Sequence, residues 1–183
     1  MMFRFNHVVI VLAGTAAGCS SPVGGQTRPT FPEESTMKSD TKSDTKSIAE
    51  AAALQVTLLP STLSVVAGAP VPLQMQVHNP TTKPVTFCTY HTLFEGLRNN
   101  LFVVQSDAGV AVDYRGMMAK RAPPSSSDYR TLKAGETIVS DAVNIGDGYA
   151  LTTGRYRIAF EGNGISGLSA SPAIVVDVAS TAP

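Results

Sequence analysis

Apolar and polar residues alternate along several segments of this chain, starting at residue 54. In residues 54–58 leucine and valine alternate with glutamine and threonine, and in residues 73–78 leucine, methionine and valine alternate with two glutamines and a histidine. Successive side chains of a β-strand point to opposite faces, so a period of two gives one apolar and one solvated face. Both segments are therefore predicted to be half-buried β-strands.

Further short runs rich in β-branched and aromatic residues continue this pattern. They are residues 85–90, 101–105, 110–114, 137–145, 155–160 and 173–178. Such residues favour strands, and turn residues such as Asn79-Pro80 separate the runs. The 15 glycines and 12 prolines fit a fold with many turns. We expect an all-β fold over residues 54–183, an immunoglobulin-like antiparallel β-sandwich of about seven or eight strands. A closed barrel is the alternative.

One late run sharpens the fold prediction. The sequence Gly154-Arg-Tyr156-Arg-Ile158-Ala-Phe160 places Tyr156, Ile158 and Phe160 on one face of a strand. Many sandwich domains enter a late central strand through a Gly-x-Tyr step of this kind. Tyr156 is therefore predicted to begin a central strand.

Residues 1–18 have the organisation of a signal peptide. A single cation, Arg4, precedes an apolar run over residues 8–13, as in secretory leaders. A membrane-spanning helix needs about 20 apolar residues, and this run is much shorter. We therefore expect a removable leader rather than a transmembrane anchor.

Small residues lead directly into a cysteine at the end of this leader. Ala16, Ala17 and Gly18 precede Cys19, which resembles the lipobox of bacterial lipoprotein precursors. The resemblance implies that Cys19 becomes the mature N-terminus and carries acyl chains that bind a lipid bilayer. Ser20 rather than aspartate after the cysteine implies the outer membrane, so we expect a lipid-anchored protein of the cell envelope. The alternative is an ordinary secretory signal cleaved near Ala17.

Residues 19–53 form a predicted disordered linker between the acylated N-terminus and the sandwich. They are rich in serine and threonine, and Lys-Ser-Asp-Thr occurs twice in succession over residues 38–45. Apolar residues are too sparse there to offset the entropy of ordering. Ser47-Ile-Ala-Glu50 has the form of a capping box, so a turn or two of helix is expected just before the first strand.

The chain has two cysteines, Cys19 and Cys88. Acylation of Cys19 would remove the option of a disulfide between them. Cys88 lies within a predicted strand, where an unpaired cysteine is usually a small buried apolar residue. We predict that Cys88 is buried and unreactive.

The sequence carries no recognisable catalytic pattern. Beyond the leader the histidines are His78 and His91, and neither has a second histidine at helical spacing. The fragment Gly164-Ile-Ser166-Gly167 is only part of a nucleophile elbow and is read as a turn. We predict no enzyme activity, no metal site and no cofactor. A small hydrolase using His78 or His91 is the alternative.

Net charge gives no indication of a partner. Fourteen basic and fourteen acidic side chains cancel, so no overall field attracts the chain to nucleic acid. We therefore predict no nucleic-acid partner.

The middle of the chain carries a resemblance to a known domain. Its residues, in order, are His91-Thr-Leu-Phe94-Glu95-Gly96, Asn99-Asn100, Phe102-Val-Val104, Tyr114-Arg115-Gly116, Lys120-Arg121, Pro123, Asp128-Tyr129, Leu132 and Gly135-Glu136. This stretch resembles the non-catalytic N-terminal β-sandwich of bacterial relatives of deuterolysin and peptidyl-lysine metalloendopeptidases. Those proteases carry their zinc motif in a separate downstream domain, and we expect no such domain here. The resemblance implies the fold without the activity.

The long connection over residues 114–129 holds most of the candidate interaction residues. The set is Glu95, Tyr114, Arg115, Lys120, Arg121, Asp128 and Tyr129. Long connections are often functional, so these cations and tyrosines could meet an acidic partner or a glycan. The competing interpretation is local: the cations pair with Asp113 and Asp128, while the tyrosines cover the edge of the core.

Together these predictions describe a monomeric, lipid-anchored envelope protein. Its sandwich would act as a non-catalytic binding or accessory module, with a secreted protease as the candidate partner. A purely structural surface protein that binds nothing specific is a further alternative.

Overall fold

A computed structural model of the chain describes residues 50–180. The predictions for the leader, for Cys19 and for most of the linker concern residues outside this range. Glu50 and Ala51 are helical and are followed by a turn, with the Ala53 N–H bonded to the Glu50 carbonyl at 3.1 Å. A short helical turn therefore precedes the first strand, as expected.

Ten β-strands are present in the described residues. They are β1 (Gln55–Pro60), β2 (Ser64–Val66), β3 (Pro72–His78), β4 (Val85–Cys88), β5 (Phe102–Ser106), β6 (Tyr129–Leu132), β7 (Thr137–Val139), β8 (Val143–Asn144), β9 (Gly154–Phe160) and β10 (Ile174–Ala179). Between them lie three short 3-10 turns, Leu93–Glu95, Ser126–Asp128 and Ile145–Asp147.

The strands form a β-sandwich, which confirms the fold prediction. One sheet has the order β1-β3-β7, with β8 also paired to β3; the second has the order β2-β10-β9-β5, and β4 pairs with β6 separately. All pairs are antiparallel except β2 with β10. The two larger sheets share no strand, so the barrel alternative does not form. Their strands follow the order of the two facing sheets of immunoglobulin-type sandwiches.

Alternation along the strands places the core between the sheets. In β3 the side chains of Leu73, Met75 and Val77 are buried, while the intervening glutamines are partly solvated. Tyr156, Ile158 and Phe160 are buried on one face of β9, as predicted. The hydroxyl of Tyr156 accepts from the Thr152 N–H at 3.1 Å and donates to the Thr152 carbonyl at 3.0 Å. This is the hydrogen bonding of a tyrosine corner.

Three details of the strand prediction were wrong. The run 137–145 divides into β7 and β8, because Ser140 between them turns its hydroxyl inward to accept from the Met75 N–H at 2.9 Å. The short strands β2 and β6 were missed. Residues 110–114 form no strand: they contact the outer edge of β5 through a bridge between Gln105 and Ala111.

That segment nevertheless occupies backbone groups along β5. The Val112 N–H donates to the Val104 carbonyl at 2.9 Å, and the Ser106 N–H donates to the Val110 carbonyl at 2.9 Å. Val110 itself is 64% exposed, whereas Val112 packs against the core.

Tyr149, a core residue, is bonded to further backbone groups on the same edge of β5. Its hydroxyl accepts from the Phe102 N–H at 3.0 Å and lies within donating distance of the Asn100 Oδ1 at 2.6 Å and the Phe102 carbonyl at 3.2 Å. The Tyr149 ring is 5.2 Å from that of Tyr114 and 6.2 Å from that of Phe102. Burial raises the pKa of Tyr149 to about 12.

Asn79 joins the turn after β3 to the turn between β6 and β7. Its side chain is fully buried. The amide Nδ2 donates toward the carbonyls of Lys83, Leu132 and Lys133 at 2.8, 3.0 and 3.0 Å. The Oδ1 accepts from the N–H and the hydroxyl of Thr81 at 3.0 and 2.8 Å.

Candidate functional site

A cleft of about 500 Å³ lies beside β4, between the segment that leaves this strand and the segment that leads into β6. Its lining is mixed in charge and includes two aromatic side chains. The lining residues are Thr89, Tyr90, Leu93, Phe94, Glu95, Gly96, Arg98, Arg121, Asp128, Asp141 and Val143. We refer to it below as the cleft.

The wall of the cleft that follows β4 contains the short 3-10 turn Leu93–Glu95. The Thr92 hydroxyl accepts from the Phe94 N–H at 3.2 Å and donates to the Thr89 carbonyl at 2.6 Å, while Leu93 is buried. His91 adopts a left-handed conformation with φ of 56°, which is uncommon for a residue other than glycine. Its N–H donates to the Glu95 Oε1 at 3.1 Å, so the turn fixes the position of that carboxylate.

Glu95 and Arg121 form an ion pair across the cleft. The Arg121 Nη2 and the Glu95 Oε2 are 2.5 Å apart, and the two side chains are 27% and 10% exposed. The same guanidinium lies 5.0 Å from the centroid of the Tyr90 ring, a cation–π distance. Arg121 is therefore held by a carboxylate and an aromatic face together.

Asp128 and Tyr90 form the second polar pair of the cleft. The Asp128 Oδ2 accepts from the N–H and the hydroxyl of Ser125 at 2.8 and 2.7 Å, and these bonds lower the pKa of Asp128. Desolvation, together with the negative charge of Asp128, raises the pKa of Tyr90. At neutral pH the pair is thus a carboxylate and a neutral phenol.

Phe94 supplies an apolar contact beneath the charged groups. Its ring is 5.6 Å from that of Phe87, which is buried, and the Arg130 guanidinium carbon lies 5.2 Å from its centroid. Arg98 donates its Nε–H to the Glu95 carbonyl at 2.8 Å. The cleft therefore offers fixed cations, fixed anions and aromatic faces within one surface.

Three of the residues predicted from the sequence meet in this cleft: Glu95, Arg121 and Asp128. The ion pair differs from the local interpretation, since Arg121 pairs with Glu95 rather than with Asp113 or Asp128. Sequence reasoning missed Tyr90, Arg98 and Asp141 as cleft residues. The spacing Thr92-x-x-Glu95, typical of a helical N-terminus, was the available signal for this turn.

The remaining predicted residues lie outside the lining of the cleft. Tyr114 packs on Tyr149, and its hydroxyl donates to the Met117 carbonyl at 2.7 Å, so it covers the core edge as the local interpretation expects. Arg115 and Lys120 are exposed, and Tyr129 is exposed at the start of β6.

The histidines considered for catalysis have other surroundings. The Nδ1 of His78 lies 2.9 Å from the Thr137 hydroxyl at the end of β3, and His91 belongs to the wall of the cleft. Within residues 50–180 no three His, Cys, Asp or Glu side chains are grouped as metal ligands. Cys88 is buried, as predicted, and burial raises the pKa of its thiol.

The sequence was compared with protein-family models and with curated proteins, and neither comparison found a match. Among residues 50–180 no helix has both the length and the apolar character needed to cross a membrane.

Proposed function

We propose that this chain is a lipid-anchored envelope protein whose sandwich is a non-catalytic binding module for another protein. The observation that supports the binding role best is the fixed arrangement of Arg121 in the cleft. Arginine and tyrosine side chains that are already held in place contribute strongly to protein interfaces, because little entropy is lost when they bind. The mixed charge of the cleft fits a peptide segment that carries both signs.

The proposed partner is a secreted protease. Support comes from the resemblance of residues 91–136 to the sandwich that precedes such protease domains. A separate copy of this domain could dock where the covalently attached copy does, and so hold or inhibit the enzyme.

The anchor is tested first by the mass of the native protein. We expect protein purified from membranes to begin at Cys19 and to carry added hydrocarbon mass by intact-mass spectrometry. Cys19→Ser should abolish the added hydrocarbon mass, because the thiol that would carry the acyl chains is gone. A native product with its leader removed and no added mass would contradict the anchor.

The cleft is tested by capture from envelope extracts with two matched arginine variants. Arg121→Ala removes the cation held by Glu95 and Tyr90, whereas Arg155→Ala removes a cation paired with Asp177 at 2.8 Å on β9. We expect recovery of a secreted protease, identified by mass spectrometry, to fall at least about ten-fold for Arg121→Ala, as for an interface hot spot. It should be unchanged for Arg155→Ala.

Melting curves of both variants establish that the difference is not one of folding. Equal losses in the two variants would rule out the cleft as the docking surface. Recovery of no protease, together with unchanged secreted proteolysis after deletion of the gene, would rule out the protease as partner.

A further inference from the structure

Residues 115–121, which we call the methionine segment, combine exposed apolar and cationic side chains. Met117 and Met118 are 62% and 69% exposed, among the most exposed large apolar side chains of residues 50–180. Arg115 and Lys120 are exposed beside them. Residues 114–127 contain no acidic side chain. Scattered single apolar residues are normal on a protein surface, but an adjacent pair within a cationic, acid-free segment requires an explanation.

The backbone of this segment is fixed at several points. The Tyr114 hydroxyl donates to the Met117 carbonyl at 2.7 Å, and the Ala119 N–H donates to the Arg98 carbonyl at 2.9 Å. Arg121 is held by Glu95. The methionines are therefore presented by an ordered backbone, so a contact made by them costs little further backbone entropy.

Nearby carboxylates only partly offset the cations. Glu95 is neutralised by Arg121, and Asp147 is bonded to the Asn144 amide at 2.7 Å. Asp113 is exposed and adjoins the segment in sequence. Arg115 and Lys120 remain as exposed cations on either side of the methionine pair, so the local surface is apolar at its centre and positive at its flanks.

This pattern fits the interface of an anionic lipid bilayer. Flexible apolar side chains enter the boundary between headgroups and acyl chains, while lysine and arginine meet the lipid phosphates. We propose that the methionine segment docks the sandwich onto an anionic bilayer surface. The proposal goes beyond the anchor and rests on the proposed function for one point, the attachment of the chain at Cys19.

The length of chain before the fold supports docking onto a bilayer. Residues 19–49 separate Cys19 from the first described residue, and the linker predicted from their composition would span about 30 Å. Such a tether keeps the domain at an effective concentration on the order of millimolar near the bilayer. A weak contact made by two methionines and two cations is then sufficient to orient the domain.

The test uses the full-length chain with Cys19→Ser, which cannot be acylated. Sedimentation is measured with vesicles of phosphatidylcholine alone and with vesicles containing equal amounts of phosphatidylcholine and phosphatidylglycerol. We expect binding to the anionic vesicles to exceed binding to the neutral ones. Two double variants should each lower partitioning at least about ten-fold. Arg115→Glu with Lys120→Glu removes two cations, each of which contributes about five-fold near an anionic surface. Met117→Glu with Met118→Glu replaces the apolar pair by two anions, which the lipid phosphates repel.

Matched controls change the same chemistry elsewhere on the surface. Val110→Glu alters an apolar residue that is 64% exposed, and Arg157→Glu reverses an exposed cation on β9. Both should leave partitioning within about two-fold of the parent, on the usual expectation for surface sites outside a contact. The leader is common to every variant, so the differences between variants report on the segment.

Equal partitioning of all variants, or no preference for phosphatidylglycerol, would overturn the proposal. So would a photo-crosslinker at position 118 that labels an envelope protein and not lipid in native membranes, because the segment would then be a protein contact. The vesicle result does not depend on acylation, which the intact mass of the native protein reports separately. Failure of the anchor and failure of the docking segment are therefore distinguishable.

Discussion

Replacing Asn79 by aspartate is expected to lower the free energy of unfolding by about 3–5 kcal/mol at pH 7, the usual cost of an uncompensated buried charge. The substitution keeps the shape of the side chain, but it exchanges the Nδ2 donor for an oxygen. That oxygen would face the three carbonyls that the amide now serves, at 2.8–3.0 Å. Urea unfolding followed by circular dichroism measures the change.

The pH dependence of this variant separates charge from shape. Burial beside carbonyl oxygens raises the folded-state pKa of the new carboxyl above its unfolded value of about 3.9. The protonated form is therefore favoured in the folded state, and the stability lost at pH 7 should be partly regained as the pH falls toward 4. Asn79→Ala, which introduces no charge, should show no such recovery.

Asn100→Asp is the matched control for this prediction. The Asn100 Oδ1 lies 2.6 Å from the Tyr149 hydroxyl, and aspartate retains that acceptor. A change within about 0.5 kcal/mol is expected, as for an exposed site. If Asn79→Asp were equally mild, the role assigned to the Asn79 amide would be wrong.

Replacing Tyr149 by alanine is expected to destabilise the fold by about 3–5 kcal/mol, as for other large aromatic side chains removed from a core. The ring is 1% exposed and packs between Phe102 and Tyr114. Tyr149→Phe keeps the ring and loses only the hydroxyl. It should cost about 1–3 kcal/mol, because the backbone groups of Phe102 lose their partner.

The raised pKa of Tyr149 adds a signature in alkaline solution. A phenol with a folded pKa of about 12 and an unfolded pKa of about 10 keeps its proton more firmly in the folded state. Its stabilising contribution is complete below pH 10 and is lost as the pH rises to 12, at up to about 1.4 kcal/mol per pH unit. Tyr149→Phe should remove that part of the alkaline loss. A parallel pH profile for the wild type and the variant would show that another group titrates there.

The main strands were predictable because each one carries its own periodic signal. The alternation in β3 and the Tyr156, Ile158 and Phe160 set in β9 are local in sequence, and the sheets follow from burying such faces together. The strand β2 was not predictable in this way. It has three residues, of which only Val65 is buried, and it depends on pairing with β10 more than 100 residues later.

The cleft shows the same division between local and distant information. The turn that positions Glu95 has a local signature in Thr92 and its spacing, and the candidate residues Arg121 and Asp128 were recognisable as part of a long connection. The partnership between Glu95 and Arg121 joins residues 26 positions apart. No periodicity encodes such a contact, because the path of the intervening loop decides it.

The segment mistaken for a strand has a consequence for association between copies. An open sheet edge is a template for addition of a strand from another molecule. On β5, Phe102 is bonded to the Tyr149 hydroxyl, and Val104 and Ser106 are bonded to residues 110–112. Where many copies are crowded together, a neighbouring molecule would have to displace these internal partners before it could extend the sheet. The internal hydrogen bonds therefore oppose polymerisation at this edge.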